Sequence, residues 1–190
     1  MDRRWSLLLC SLVLTSCSGP AYLNRDVVTV AVLPPWNDSS MIEASGILWP
    51  HVAYESARHG YKLLPRAQVE AYFQKLRFGT PEEIQQIKPQ KICAELGVQG
   101  LVYSQITFWG KTTDGLGFYV GVEFDTWIVD GSTGEKAWTG SGKAGKKGND
   151  SIEGLIRSAK AIVGNPAEHA KKAAENAFKT APLAGFAPKG

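Results

Sequence analysis

Cysteine is scarce in this chain, with only Cys10, Cys17 and Cys93 among 190 residues, and no apolar run approaches the roughly 20 residues that cross a bilayer as a helix. Charge of one sign is lacking too. Lys and Arg number 21 against 18 Asp and Glu, a net of +3, and so even a balance excludes the basic footprint of a nucleic-acid binder. Signatures of nucleophilic catalysis are missing: there is no G-x-S-x-G elbow and no catalytic-cysteine pattern. The three histidines, His51, His59 and His169, stand in no motif that would give a nucleophile its base. His51 and His59 lie eight apart on one predicted helix, but a zinc site needs more ligands than Cys93 adds. Glu123 and Asp125, two apart on a predicted strand face, read as a solvated pair. The expectation is no enzyme, with no catalytic residue, cofactor or metal.

What the chain does have begins at its amino end. Arg3 and Arg4 precede an apolar stretch over residues 5–14, the charge and length of an export signal rather than a membrane span. Leu14-Thr15-Ser16-Cys17 then resembles the lipobox that lipoprotein signal peptidase reads, with the cut between Ser16 and Cys17 and acylation, palmitate included, on Cys17. Several acyl chains on one cysteine make a stable anchor where a single chain holds only marginally. The residue after the cysteine is Ser18. In Gram-negative lipoproteins Asp there commonly signals inner-membrane retention, so the expected address is the outer membrane with the domain in the periplasm. Removing residues 1–16 leaves 174 residues and a net charge of +2, enough for one domain with a real core. Cys93 is then alone, without a disulfide partner, and is expected as a buried thiol.

Residues 17–26 read as a lipidated tether, 27–181 as one α/β domain with helices at its carboxyl end, and 182–190 as a flexible tail. Residues 27–33 form a nearly continuous β-branched run closed by Pro34-Pro35, the mark of a central strand covered on both faces. A polar loop at 37–40 leads to a helix reaching about His59 that Pro50 should kink or split. A short strand at 61–64 follows, then a helix opened by Pro65 with Val69, Tyr72, Phe73 and Leu76 on one face. Thr80-Pro81-Glu82-Glu83 carries helix-start signals, and a further helix spans 89–96 with Gly97 as its stop. Strands at 98–109 and 116–130 come next. In the second, Phe118, Val120, Val122, Phe124 and Ile128 share one face, and Glu123 and Asp125 the other. Residues 130–134 are turn chemistry and 135–139 return as a third antiparallel strand. This order predicts a mixed α/β sheet of βαβαβ type with right-handed parallel crossovers, extended by an antiparallel meander and packed with helices.

Gly140-Ser141-Gly142-Lys143-Ala144-Gly145 fits G-x-G-x-x-G, but it follows the last strand instead of the first, and Lys147 stands where a P-loop needs Ser or Thr. Residues 140–150 are therefore expected as a mobile basic loop or the far end of the hairpin, the alternative role being contact of Lys143, Lys146 and Lys147 with anionic lipid headgroups or a partner's acidic surface, with helices at 151–163 and 166–180. Pro34, Pro35 and Trp36 in a loop and Trp109 at a strand end are the expected aromatic anchors for a partner.

Five stretches in order resemble one family: residues 30–35, 60–65, 79–84, 96–103 and 129–138. It is the family of bacterial lipoproteins typified by the genome-derived neisserial antigen, and the similarity spans about 27–142. The resemblance implies a fold like the amino-terminal domain of TolB and the periplasmic domain of the curli secretion lipoprotein CsgG. It implies an envelope protein working by contact, with envelope partners such as a CsgG-like lipoprotein or further copies of itself, and it transfers no catalytic residue. The alternative from the same layout is a periplasmic carrier whose ligand sits near Trp36, at the carboxyl ends of the parallel strands.

Overall fold

The computed structural model describes residues 27–77, 81–113, 117–148 and 165–184, together with 153 and 156. The expected signal, cleavage site, lipidated Cys17 and tether lie outside the described residues, as does all but two positions of the helix expected at 151–163. In chain order the elements are β1 (Thr29–Val32), β2 (Trp36–Asn37), α1 (Ala44–Arg58), β3 (Lys62–Leu63), α2 (Arg66–Leu76), α3 (Pro81–Gln85), α4 (Pro89–Leu96), β4 (Gly100–Thr113), β5 (Phe118–Asp130), β6 (Lys136–Gly148) and α5 (Pro166–Ala177), followed by a 3-10 turn at Phe178–Thr180.

The sheet order is β3-β1-β4-β5-β6, with β2 also on β4. Strands β3, β1 and β4 run parallel, and β5 and β6 continue as an antiparallel meander. β1 is central as its apolar run requires: Val30 and Ala31 have no exposed surface and Val32 and Leu33 almost none. The first crossover runs from β1 through α1 to β3, and the second runs back from β3 through α2, α3 and α4, past β1, to β4, so the two cross the sheet in opposite directions. Right-handed connections therefore place α1 on one face and the other three helices on the opposite face. α5 returns to pack beside α1 and over β6 and β5. Pro50 does not split α1, which runs unbroken from Ala44 to Arg58.

The structure departs from the sequence reading in four places. The expected loop after Gly140 is β6, paired with β5 through to Gly148. Its glycines serve packing: a Cβ on Gly142 would fall 2.3 Å from the Ala173 carbonyl oxygen of α5, and one on Gly140 would fall 2.4 Å from that of Ala177. α5 meets them with Ala170, Ala173, Ala174 and Ala177, all buried. Small residues on both sides let helix backbone lie directly on strand backbone. The second departure is Trp36, which the chain carries back onto β4 opposite Gln105 instead of leaving in a loop. Third, the β4–β5 register slips between Ile106 and Phe108, so Thr107 is a bulge that reverses the facing of everything after it. Trp109 turns inward and is 4% exposed, so it offers no surface to a partner, while Phe108 takes the outer face. Last, part of the expected flexible tail is tied down: the Tyr61 hydroxyl donates to the Pro182 carbonyl at 3.0 Å and the Ala184 amide to that of His59 at 2.8 Å.

Candidate interaction surface

The two faces of the meander are chemically different. The inner face carries Val122, Phe124 and Ile128 beneath α5, together with one buried polar pair. Ser104 Oγ donates to Thr126 Oγ1 at 3.2 Å, and Thr126 Oγ1 donates to the Tyr103 carbonyl at 2.8 Å. The outer face is built from the alternate residues. Tyr103 stacks on Trp127 with centroids 5.6 Å apart, and Phe108 on Tyr119 at 5.5 Å. A lysine crowns each aromatic pair: Lys136 Nζ lies 4.3 Å from the Trp127 ring and Lys143 Nζ 4.5 Å from the Tyr119 ring, a favourable cation–π arrangement. Between them Lys143 pairs with Glu123, Ser141 Oγ donates to Asp125 at 2.6 Å, and Gln105 Nε2 donates to Asp38 at 2.7 Å. Burial, with Glu123 beside it, pushes the Tyr119 hydroxyl up to about 12, so it stays a neutral phenol at physiological pH. Apart from well-buried Tyr103, the aromatic rings of this face are half-buried.

Among the expected anchors, Pro34 and Trp36 are half-buried and Pro35 is buried, its carbonyl accepting from Ser45 Oγ at 2.7 Å. They lie near the carboxyl ends of β1 and β3. There a separate hollow of about 200 Å³ opens between α1 and α2, lined by Trp49, Pro50, Ala53, Leu64 and Arg66. Arg66 lies 4.2 Å over the Trp49 ring, and Trp49 Nε1 donates to the Val32 carbonyl at 3.1 Å.

Titratable groups elsewhere do not converge. Burial pushes the Cys93 thiol up to about 11, with Asp130 adding to it, which leaves it a poor nucleophile. His51 is held below its ordinary value by burial and then by Lys171, and His169 chiefly by burial. His59 donates from Nδ1 to the Glu55 carbonyl at 2.8 Å and packs on Phe178. Among the described residues no three His, Cys, Asp or Glu side chains gather as metal ligands would. The outer face escaped the sequence reading of tryptophans because its aromatics arrive from two strands and depend on the bulge at Thr107. The alternation of Glu123 and Asp125 was the available signal.

This layout, three parallel strands extended by a meander beneath a carboxyl-terminal helix, matches a known pattern. The family described as "Putative lipoprotein GNA1162-like" matches residues 21–184. The chain belongs to the GNA1162-like family. A curated relative from Neisseria meningitidis serogroup B, NMB1124/NMB1162, is 25% identical over 128 residues, covering 67% of this chain and 60% of the relative. The match thus spans less than two thirds of the neisserial protein. The crystal structure of lipoprotein GNA1162 from Neisseria meningitidis superposes with a TM-score of 0.57 at 24% identity, covering 74% of this chain and 98% of that one, which shows the shared fold. The PelC dodecamer from Paraburkholderia phytofirmans is a looser likeness, with a TM-score of 0.42 at 17% identity over 79% of this chain and 92% of that one. Membership makes the chain a membrane-anchored lipoprotein of the cell envelope, and among the described residues no helix is long and apolar enough to cross a membrane.

Proposed function

We propose that this protein is an outer-membrane lipoprotein, cut between Ser16 and Cys17 and acylated on Cys17, whose domain works in the periplasm by binding other envelope proteins and not by catalysis. The observation that carries this reading is the outer face of the meander. Half-exposed aromatic rings interleaved with Lys136, Lys143, Glu123 and Asp125 have the composition of a contact surface, with flat apolar anchors inside a polar frame. An accessory role beside a CsgG-like secretion lipoprotein, and self-association, are the first partnerships to test.

Cross-linking in intact cells followed by affinity capture of the full chain should recover envelope proteins, and replacing Phe108 and Trp127 with Glu should remove them. Recovery of the monomer alone under several growth conditions would sink the proposal. Mass spectrometry of the membrane-extracted protein checks the anchor, which should appear as an acylated amino-terminal Cys17. A second reading, a small-ligand carrier, is favoured by the hollow beside Trp49 and Arg66. Its volume of about 200 Å³ falls below the roughly 300–1,000 Å³ of drug-sized ligand sites, so it suits one side chain of a partner better than a free ligand.

A further inference from the structure

The edge of the sheet has a property of its own. β6 is the last strand in the order, 13 residues long, and among the described residues nothing pairs with its outer side. At the usual strand rise that is about 40 Å of open backbone, a template for another strand. The sequence of β6 holds four lysines, Lys136, Lys143, Lys146 and Lys147, and no acid. Lys143 answers to Glu123, but among the described residues neither Lys146 nor Lys147 lies within 4 Å of a carboxylate. A cleft of about 480 Å³ follows this edge, walled by Tyr119, Lys143, Gly145 and Lys147 and, from α5, by Lys172, Glu175 and Asn176; Glu175 is paired with Lys171, and exposed Lys172 is shared with Glu168. Gly145 lets the Tyr119 ring, one wall of the cleft, lie close over the strand, since a Cβ there would fall 2.6 Å from that ring. Edge backbone here already takes a side-chain partner, since Asn176 Nδ2 donates to the Lys143 carbonyl at 2.9 Å.

We infer that the β6 edge receives an extended acidic segment of a partner protein, which adds to the sheet as an antiparallel or parallel strand and sets its carboxylates against Lys143, Lys146, Lys147 and Lys172. The inference rests on the contact function proposed above and names the chemistry of the partner. A second copy of the chain is the poorer occupant, because joining two β6 edges gathers eight lysines and no acid in one strand pair. Anionic lipid is also the poorer occupant. β4 starts at Gly100 beside Val27 and runs 14 residues to Thr113, about 45 Å at the usual rise. Lys146 and Lys147 pair with Val120 and Tyr119, which themselves face Lys111 and Thr112 at that far end. An anchor on residue 17 would hold its own bilayer at the opposite pole, and residues 18–26 reach at most about 30 Å.

The test uses the full chain in detergent and a fluorescent peptide of about ten residues with Glu-Glu pairs between Val and Thr, so that carboxylates fall on both strand faces, beside its Lys counterpart, an alternately N-methylated version and phosphatidylglycerol vesicles. The acidic peptide should bind, the Lys peptide should bind at least about tenfold more weakly, and binding should fall as salt rises. N-methylation, which removes the backbone donors, should weaken binding by about tenfold or more. The double variant Lys146→Glu, Lys147→Glu should do the same with an unchanged melting curve. Equal binding of the acidic and Lys peptides would overturn the inference, as would indifference to N-methylation or loss of vesicle binding alone in the double variant. If cross-linking recovers partners that the double variant still holds, this inference falls while the contact function stands. If the acidic peptide binds but no envelope protein is recovered, the edge chemistry stands and the contact function falls.

Discussion

The parallel half of the sheet and the meander half solve the same packing problem with different residues. In β1 and the start of β4, helices cover both faces, and the strand interiors are chiefly Val, Ala and Leu with almost no exposed surface. In the meander one face is sealed by α5 through glycine and alanine, and the other stands half open with stacked aromatics and charge. Burial on both faces leaves no freedom in composition, so the parallel half serves stability. A strand sealed on one side can spend its other side on contact, and the same division runs along β5, where Phe124 faces the core and Asp125 the solvent.

That contrast can be broken experimentally. The strongest challenge is Trp109→Ala. If the bulge at Thr107 places this ring in the core, the change costs about 4 kcal/mol in chemical denaturation, comparable to Leu101→Ala in the parallel half. A cost under about 1 kcal/mol with loss of partner capture would mean the ring is an outward anchor after all. Next comes Gly142→Val, expected to cost about 2–3 kcal/mol because the Ala173 carbonyl in its way is backbone and moves only with α5. Ser141→Val, one residue along and outward, should stay within about 0.5 kcal/mol. Equal costs at the two positions would erase the distinction between the faces.

Acidity gives a subtler probe. His51 and His169, on the two helices of the sealed layer, both titrate below their ordinary 6.5, so below that pH the unfolded chain binds more protons than the folded one. Their contribution to stability is present at neutral pH and is lost as pH falls through 6.5 toward their lowered values. Melting temperature should therefore drop across that window, and His51→Asn with His169→Asn should flatten the slope. Smallest of all, Lys143→Ala removes an ion pair whose lysine is 57% exposed, and urea unfolding should move by less than about 0.5 kcal/mol. A larger loss would give the outer face a structural role.

How much of this was legible depends on how local the cause is. The central strand followed from residues 27–33, the helix at Pro89–Leu96 from its proline start and Gly97 stop, and the two faces of β5 from strict alternation. The site was harder. Trp109 belongs to the core only because one unpaired residue shifts the register of a neighbouring strand, which leaves no mark in its own segment. Trp36 is a strand residue only because β4 passes beside it after the two prolines. The Gly and Lys composition of residues 140–148 has the statistics of a loop, since glycine normally weakens a strand.

By itself, the sequence determined what depends on composition and short-range pattern: the export and lipidation signal, and with it the lack of an internal disulfide, as expectations, the order of strands and helices, and the family. Tertiary structure alone decided that residues 140–148 continue as a strand, because the closeness of α5 gives those glycines their purpose, and a helix returning from later in the chain cannot be read from the strand it covers. It also decided which aromatics face outward, since a bulge exchanges the faces of a strand without changing a single residue type.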